Sequence, residues 1–433
     1  MRFDAVSVLT LYIVILYAVP SDLSLTSFGG AGSPIMIFGL LGGIWWAWRQ
    51  VSRSESAMNP GHQPVRIVLF VLLTIAVISY IGAMLSPRES VEVNGADLGL
   101  LRLLSLASVL LLANDGIGDG ARFRTFLRRL CFAGSLFAAF GLVQFVTKQS
   151  FVDRLVIPGF SASQDFSAVQ DRSGFARAAA TATNPLEYAF VLAMILPIAV
   201  TLALDDTDRP RWRRWTPAFV IVVALAISGS RSGIVGLILG LLLLFPAWNS
   251  GRRIRAIVIG VIGAGLVYLA VPGMIGTVRY LFLNVGQDAS TTSRTNSYDL
   301  ALTFIGRSPL FGRGFGTFLP QYRILDNQYL LAAIELGIVG LAALLALIIV
   351  AAIVALRTGL SRPPGLTRSL GPALLSSVAV GAVLTAFSDA FSFRMSAGTL
   401  FLMLGVCGAY WRLYRPDREQ PQTMSGTELS RRR

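Results

Sequence analysis

Lysine and histidine are nearly missing from these 433 residues: Lys148 and His62 are the sole examples of each. A phosphate-binding loop of the ATPase kind needs a lysine directly behind its glycines, and Lys148 lacks that setting, so this route to nucleotide chemistry is excluded. His62 falls in a short loop expected on the cytoplasmic side of a membrane. Any outward-facing site is therefore left to carboxylates, arginines and hydroxyls. Cysteine is as scarce: Cys131 and Cys407 both sit in apolar runs, offering neither a disulfide framework nor a thiolate metal site. Charge is thin as well, 14% of residues against 54% hydrophobic, with a mean hydropathy of +0.66, and this balance excludes a soluble enzyme.

What is abundant is apolar sequence in runs long enough to cross a hydrocarbon core, for which about 20 residues suffice. They fall at about 5–19, 34–48, 65–85, 98–113, 125–146, 186–204, 215–229, 232–248, 255–271, 328–356, 370–390 and 396–412. The first could be read as a signal peptide, but no convincing cleavage signal follows it, and it is taken as a span. The expectation is an all-α polytopic integral membrane protein with about 12 transmembrane helices, a single transmembrane domain over 1–414 and a disordered cytoplasmic tail over 415–433.

The net charge of +14 is almost wholly arginine, gathered in short loops and the tail. Arg49, Arg53 and Arg66, the groups around Arg128, Arg213 and Arg253, and Arg357, Arg362 and Arg368 all fall on the N-terminal side of the alternation. The opposite short loop at 86–97 carries Glu89, Glu92 and Asp97. Both termini are thus expected in the cytoplasm, and such a pattern orients a membrane protein without pointing to nucleic acid. Asp206-Thr207-Asp208 has the spacing of a nucleotide-sugar metal motif, but it lies in a short loop with no soluble domain around it. It reads as a solvated charge run, and neither a metal nor a cofactor is expected.

Two longer polar segments, about 147–185 and 272–327, remain on the outer face, the second a large loop containing short helices. Arg279, Arg294, Arg307, Arg313 and Arg323, with Asp288, Asp299 and Asp326, make that loop the first place to look for a site handling an anionic substrate. Thr292 or Ser293 could cap a helix from about Arg294 to Ile305, stopped by Gly306, with Tyr298, Leu302 and Ile305 along one face. In the first segment Asn184-Pro185 reads as a helix start. Ser228-Gly229-Ser230-Arg231-Ser232-Gly233 interrupts an apolar stretch. Arg231 there is either a snorkelling arginine at a tight turn or an anion ligand. Glu335, inside a span, should be satisfied by a neighbour, and Arg394 and Asp389 should pair with each other or face the cavity.

Ser-Arg-Ser-Gly opening an apolar helix, then Ser308-Pro309-Leu310-Phe311-Gly312-Arg313-Gly314-Phe315-Gly316, then Asp326-Asn327-Gln328-Tyr329-Leu330 with Glu335-Leu336-Gly337, resembles the bacterial O-antigen ligase and polysaccharide polymerase superfamily. Arg177 to Glu187 resembles a further segment of it, with Ala179-Ala180 where glycine is common. The resemblance implies inverting, metal-independent transfer of a glycan from an undecaprenyl-pyrophosphate carrier to a glycan acceptor, at the outer face of the bacterial inner membrane. It implies that Arg231 meets the pyrophosphate and that Arg294, opening the large-loop helix, takes part in catalysis. Arg177, Arg279, Arg313 and Asn327 are expected to bind substrate. Asp326 stands where the ligases carry a histidine that orients or deprotonates the acceptor; the resemblance implies the same catalytic role for Asp326, and the departure favours the polymerase branch. Asp326 also begins the tenth span, where an aspartate caps a helix, so both roles stay open. Expected partners are the lipid-linked donor, the acceptor, membrane lipid and other polysaccharide-export proteins. The rivals are a ligase acting on a lipid or protein acceptor and a transporter of lipid-linked oligosaccharide.

The charge pattern yields a direct test. A cysteine introduced at Ser290 should react with a membrane-impermeant thiol reagent in intact cells, whereas one at Thr207 should not; the reverse labelling would invert the topology.

Overall fold

Apolar surroundings force every backbone amide and carbonyl to find a partner within the chain, and helices answer that demand locally. The computed structural model describes residues 4–52, 62–154, 157–162, 170–172, 175–270 and 289–415. In chain order its α-helices are α1 (Ala5–Ala18), α2 (Pro34–Val51), α3 (Pro64–Met84), α4 (Ser90–Gly116), α5 (Gly120–Thr147), α6 (Pro185–Asp205) and α7 (Arg211–Ile227). They continue with α8 (Arg231–Leu244), α9 (Ser250–Ala270), α10 (Ala289–Arg307), α11 (Gln328–Glu335), α12 (Gly337–Leu360), α13 (Leu366–Thr385) and α14 (Arg394–Tyr414). Every predicted apolar run coincides with a helix, one of them with the pair α11 and α12. Among the described residues six helices, α3, α4, α5, α6, α12 and α13, are long and apolar enough to cross a membrane. The chain is a multi-pass helical membrane protein.

Helix α6 is the centre, with 94% of its most apolar window buried. It packs against α5, α7, α8, α13 and α14. Helix α8 approaches it through glycine: a Cβ added at Gly233 would stand 2.9 Å from the Cβ of Ala189, and one at Gly236 2.7 Å from that of Ala193. Small residues at such spacing let two backbones close on each other, and dispersion then holds them. Buried hydroxyls join further helices: Ser377 Oγ donates to Met194 O (2.6 Å), Ser376 Oγ to Gly240 O (2.8 Å) and Tyr188 OH to Ala138 O (2.8 Å).

The two ends of the bundle differ. At one end Arg122 pairs with Asp4, Arg66 with Asp115 (3.2 Å) and Arg252 with Asp205 (2.7 Å). Arg128 there joins Asp206 (2.5 Å) and Asp208 (2.9 Å). The acidic run at 205–208 is therefore tied to arginines, and among the described residues no cluster suited to a metal is found. Asp4, at the start of α1, and Tyr414, whose carbonyl accepts from Arg362 Nε at 2.8 Å, both belong to this end. The opposite end, called the site end below, gathers the starts of α4, α6, α8, α11 and α14. Strand β1 (Leu23–Leu25) there pairs antiparallel with β2 (Phe160–Ala162), and β3 (Gln170–Arg172) with β4 (Phe175–Arg177).

Several expectations change. The tenth run is not one helix: it breaks at Leu336–Gly337, where Gly337 takes φ +72°. Helix α10 starts before Thr292 and runs through Gly306 to Arg307. Its buried face is Ala301, packed with Phe304 and Leu300, while Tyr298 and Leu302 are exposed. The loop expected at 86–97 winds into the first turns of α4, with Tyr80 OH donating to Asp97 at 2.7 Å. The tail expected to be disordered lies, beyond Arg415, outside the described residues.

A Cβ at Gly337 would meet the Leu310 carbonyl at 2.2 Å, on a backbone already in the left-handed region. Gly337→Ala should therefore destabilise the purified protein by about 2–4 kcal/mol. Gly82→Ala, where a Cβ meets nothing within 4 Å, should leave thermal unfolding in detergent unchanged.

Candidate active site

One half of the site is built on the turn between α7 and α8. Gly229 adopts φ +61°, and Ser230 caps α8, its Oγ accepting from Gly233 N at 3.4 Å and bonding Ser232 Oγ at 2.8 Å. Arg231 is thereby fixed in the first turn of α8. Arg177, at the end of β4, lies against the same turn: a Cβ on Gly229 would come within 3.5 Å of its side chain. Two arginines from separate segments thus meet at one helix N-terminus, whose unpaired amides and dipole also favour an anion.

The segment carrying Arg177 is pinned on both sides. Ala180, in left-handed conformation at φ 53°, donates N–H to Gln144 Oε1 (2.8 Å) and accepts from Gln144 Nε2 (3.0 Å). Asn184 caps α6 by accepting from Glu187 N at 2.9 Å, as the Asn-Pro pair predicts. The Glu187 carboxylate, completely buried, accepts from Thr183 N (2.8 Å), Ser21 Oγ (2.9 Å) and Met395 N (2.7 Å). One side chain so joins the ends of three parts of the chain.

The other half is the segment from Ser308 to Gln328. Its glycine-rich stretch docks on backbone: Ile338 N donates to Pro309 O (2.9 Å), Arg313 N to Ile334 O (3.1 Å) and Gly314 N to Glu335 O (2.9 Å). The Glu335 carboxylate receives Phe318 N at 3.1 Å, and its carbonyl also receives Ser79 Oγ at 2.8 Å. Glu335 is thus satisfied by neighbours, as expected. Arg313 is caged: its guanidinium pairs with Glu92 and lies over Phe304 and Tyr322 at 4.9 and 5.4 Å, while Tyr322 OH donates to Glu92 at 2.7 Å. This geometry gives Arg313 the task of holding the loop to α4. Arg294 lies on α10, with its side chain outside the described residues, and Arg279 lies outside them altogether.

Asp326 does not cap α11. The cap is Asn327, whose Oδ1 accepts from Tyr329 N (3.0 Å) and Leu330 N (3.3 Å). The helix starts one residue later than the aspartate requires, and Asn327, expected to bind substrate, uses its side-chain oxygen as the cap. Asp326 is exposed at the lip. Behind it Gln328, buried, donates N–H to Ser388 O (3.1 Å), and its Oε1 accepts from Phe391 N (2.8 Å). This pairing brings the 386–393 loop, with Asp389, beside the start of α11. Burial raises the Asp389 carboxyl above the ordinary aspartate range, opposed by the Ser392 hydroxyl and the Arg102 guanidinium, and the charge of Asp326 adds to the rise. Arg102 Nη1 also donates to Phe391 O at 3.2 Å. Arg394 does not take Asp389 as its partner; it donates to Ser21 O (2.5 Å) and Leu23 O (3.0 Å).

Sequence reasoning missed Arg102 and Gln328. Arg102 had a usable signal, an arginine inside an apolar run, which is costly without a task. Gln328 had none.

Residues 216–345 match a family model described as O-antigen ligase. The matched stretch runs from α7 into α12. It contains Arg231, the docked loop and Asp326, and it supports the superfamily that the motifs pointed to. No curated protein matches the chain.

Because the two neighbouring residues have different jobs, Asn327→Ala should cost about 1 kcal/mol of stability, whereas Asp326→Asn should unfold at the wild-type temperature. Equal losses in thermal unfolding would return the cap to Asp326.

Proposed function

We propose that this chain, which carries an O-antigen ligase domain over residues 216–345, is a polysaccharide polymerase working on undecaprenyl-pyrophosphate-linked glycans at the outer face of the bacterial inner membrane. The family match brings a lipid-linked glycan and a membrane setting. The finer reading adds twelve passes, cytoplasmic termini at the arginine-rich end, and the chemistry at the site end. The observation that carries it is the convergence of Arg177 and Arg231 at a capped helix N-terminus, on the end of the bundle where Asp326 stands exposed and relieved of capping.

In this reading the donor pyrophosphate lies against Arg231 and Arg177, with Arg294 added from α10. Guanidinium forks meet phosphate oxygens in pairs and neutralise the charge that grows as the bond from C1 to the phosphate oxygen breaks. The acceptor hydroxyl attacks C1 from the opposite face, which inverts the anomeric centre. Its proton passes to the Asp326 carboxylate as the new glycosidic bond forms, and the carrier leaves as the lipid pyrophosphate. Burial raises the Asp389 carboxyl above the ordinary aspartate range, which lowers the cost of a second carboxyl group near the reacting atoms. Arg313 and Glu335 keep the loop in register and do not touch the reacting atoms.

An aspartate where the ligases carry histidine is what favours the polymerase over the ligase. The break at Leu336–Gly337 does not favour a transporter, because no helix of the first half is broken at a corresponding place among the described residues.

Asp326→Asn, reconstituted in liposomes, should bind lipid-linked donor and lose most polymerisation, while Asp326→His should retain measurable turnover that declines below about pH 6.5 as the imidazole takes its proton. Arg231→Lys should reduce activity far more than Arg252→Lys at the opposite end, since lysine keeps charge and loses the fork. Near-wild-type turnover by Asp326→Asn would remove this residue from the chemistry. Full-length lipid-linked chains, in place of single repeats, in cells lacking the protein would identify a ligase.

A further inference from the structure

Helix α10 keeps an apolar edge outside the core it packs on. Tyr298 and Leu302, one turn apart, are both exposed, Leu302 to 63%. Asp299, Thr303 and Arg307 are exposed too and form a separate polar stripe at the same helical spacing. Just beyond the helix, Leu310 (60% exposed) and Phe311 extend the apolar edge. Their segment is held to the start of α12, with Ile338 N donating to Pro309 O (2.9 Å) and Val339 N to Leu310 O (3.2 Å). Ile338 in turn heads an exposed stripe, Ile338, Leu345, Ile349 and Ile353, that runs along α12. That helix is long and apolar enough to cross a membrane, so its exposed stripe faces hydrocarbon.

Helix geometry gives the height of this join. Arg357 lies in the last turn of α12, where a cation belongs to the polar boundary of the membrane. From there back to Gly337 the helix rises about 30 Å, the thickness of the hydrocarbon core. Gly337 therefore stands at the boundary on the site end, and Leu310 and Phe311 stand beside it. A helix with one apolar edge and one polar stripe, leaving the chain at that height, rests in the interface. We propose that α10 and residues 309–311 form an in-plane membrane anchor, covered by the acyl chains of the phospholipid leaflet at the site end. Arg307, whose guanidinium lies over Phe304 at 5.3 Å, belongs to the polar stripe and faces the phosphate layer. The buried edge of α10 places Ala301 in one cluster with Phe318, Leu325, Leu331 and Ile334. Since Leu325 adjoins Asp326, the anchor and the lip form one packed unit, and the membrane surface fixes the height of the carboxylate. The anchor is independent of which substrate the site takes.

Spin labels on single introduced cysteines test the anchor in the full chain, in nanodiscs of phosphatidylethanolamine and phosphatidylglycerol. Cys131 and Cys407 are buried and stay silent to the labelling reagent. Labels on Leu302→Cys and Leu310→Cys should collide with oxygen in preference to a water-soluble nickel chelate, at a depth of about 5–10 Å below the phosphates. Labels on Asp299→Cys and Thr303→Cys should show the opposite preference, although 302 and 303 are neighbours in the chain. Tyr298→Cys and Phe311→Cys repeat the apolar pair, so one variant that fails to fold leaves the comparison intact. Equal chelate access at 302, 303 and 310 would show a solvated face and overturn the anchor. Shielding of 302 and 310 from both reagents would overturn it as well, by placing a second copy or another protein on this edge. Neither result touches the polymerase reading, which the lipid-linked glycans of cells lacking the protein decide.

Discussion

A helix that breaks inside an apolar environment exposes amides and carbonyls that water cannot reach, and something else in the chain must satisfy them. At Leu336–Gly337 the loop from Pro309 to Phe318 does so, with hydrogen bonds to Ile334, Glu335, Ile338 and Val339. That requirement brings in the rest of the architecture at the site end. Such close approach calls for glycine at 312, 314 and 316, all at positive φ, and for Gly95 and Gly99 on α4, where a Cβ would strike the loop backbone at 2.5 and 2.2 Å. Once the loop is seated, the short helix α11 is fixed in direction, and Asp326, one residue before its cap, stands exposed at the lip. The polar loop is a continuation of the membrane core by other means.

The two bundle ends divide the charge differently. At the end with the termini, each named arginine meets an aspartate or a helix-end carbonyl, an arrangement that closes helix ends and holds turns. At the site end Arg313 meets the Glu92 carboxylate, Arg102 and Arg394 are set against carbonyl oxygens, and Arg177 lies against the turn that leads into Arg231.

The apolar runs were legible in the sequence because each depends on local composition alone, and every run but the tenth, which is split in two, coincides with one helix. The cap of α6 was legible too, since Asn184 and Pro185 act within one turn. What could not be read were features set by partners distant in the chain. Glu335 belongs to the tenth apolar run by composition, and only the arrival of residues 309–318 makes it the end of a helix. Asp326 and Asn327 are both good caps, and the choice between them depends on Gln328 being held by Ser388 and Phe391, some sixty residues further on. The Arg313 cage needed Glu92 to lie on a helix, not in the loop that its charge implied.

Glu187 ties Ser21 from the α1–α2 connection, Thr183 from the approach to α6, and Met395 at the head of the last helix. These contacts span nearly the whole chain, and the first and last partners are separated by most of the synthesis time. A carboxylate buried to 0% exposure enters its final environment only when the last helix arrives. Until then the site end is an unfinished surface, with Arg177 and Arg231 present but their supporting segment unlocked. The last helix therefore completes the frame beneath Arg177, through Met395 N on this carboxylate and Arg394 on the Ser21 and Leu23 carbonyls.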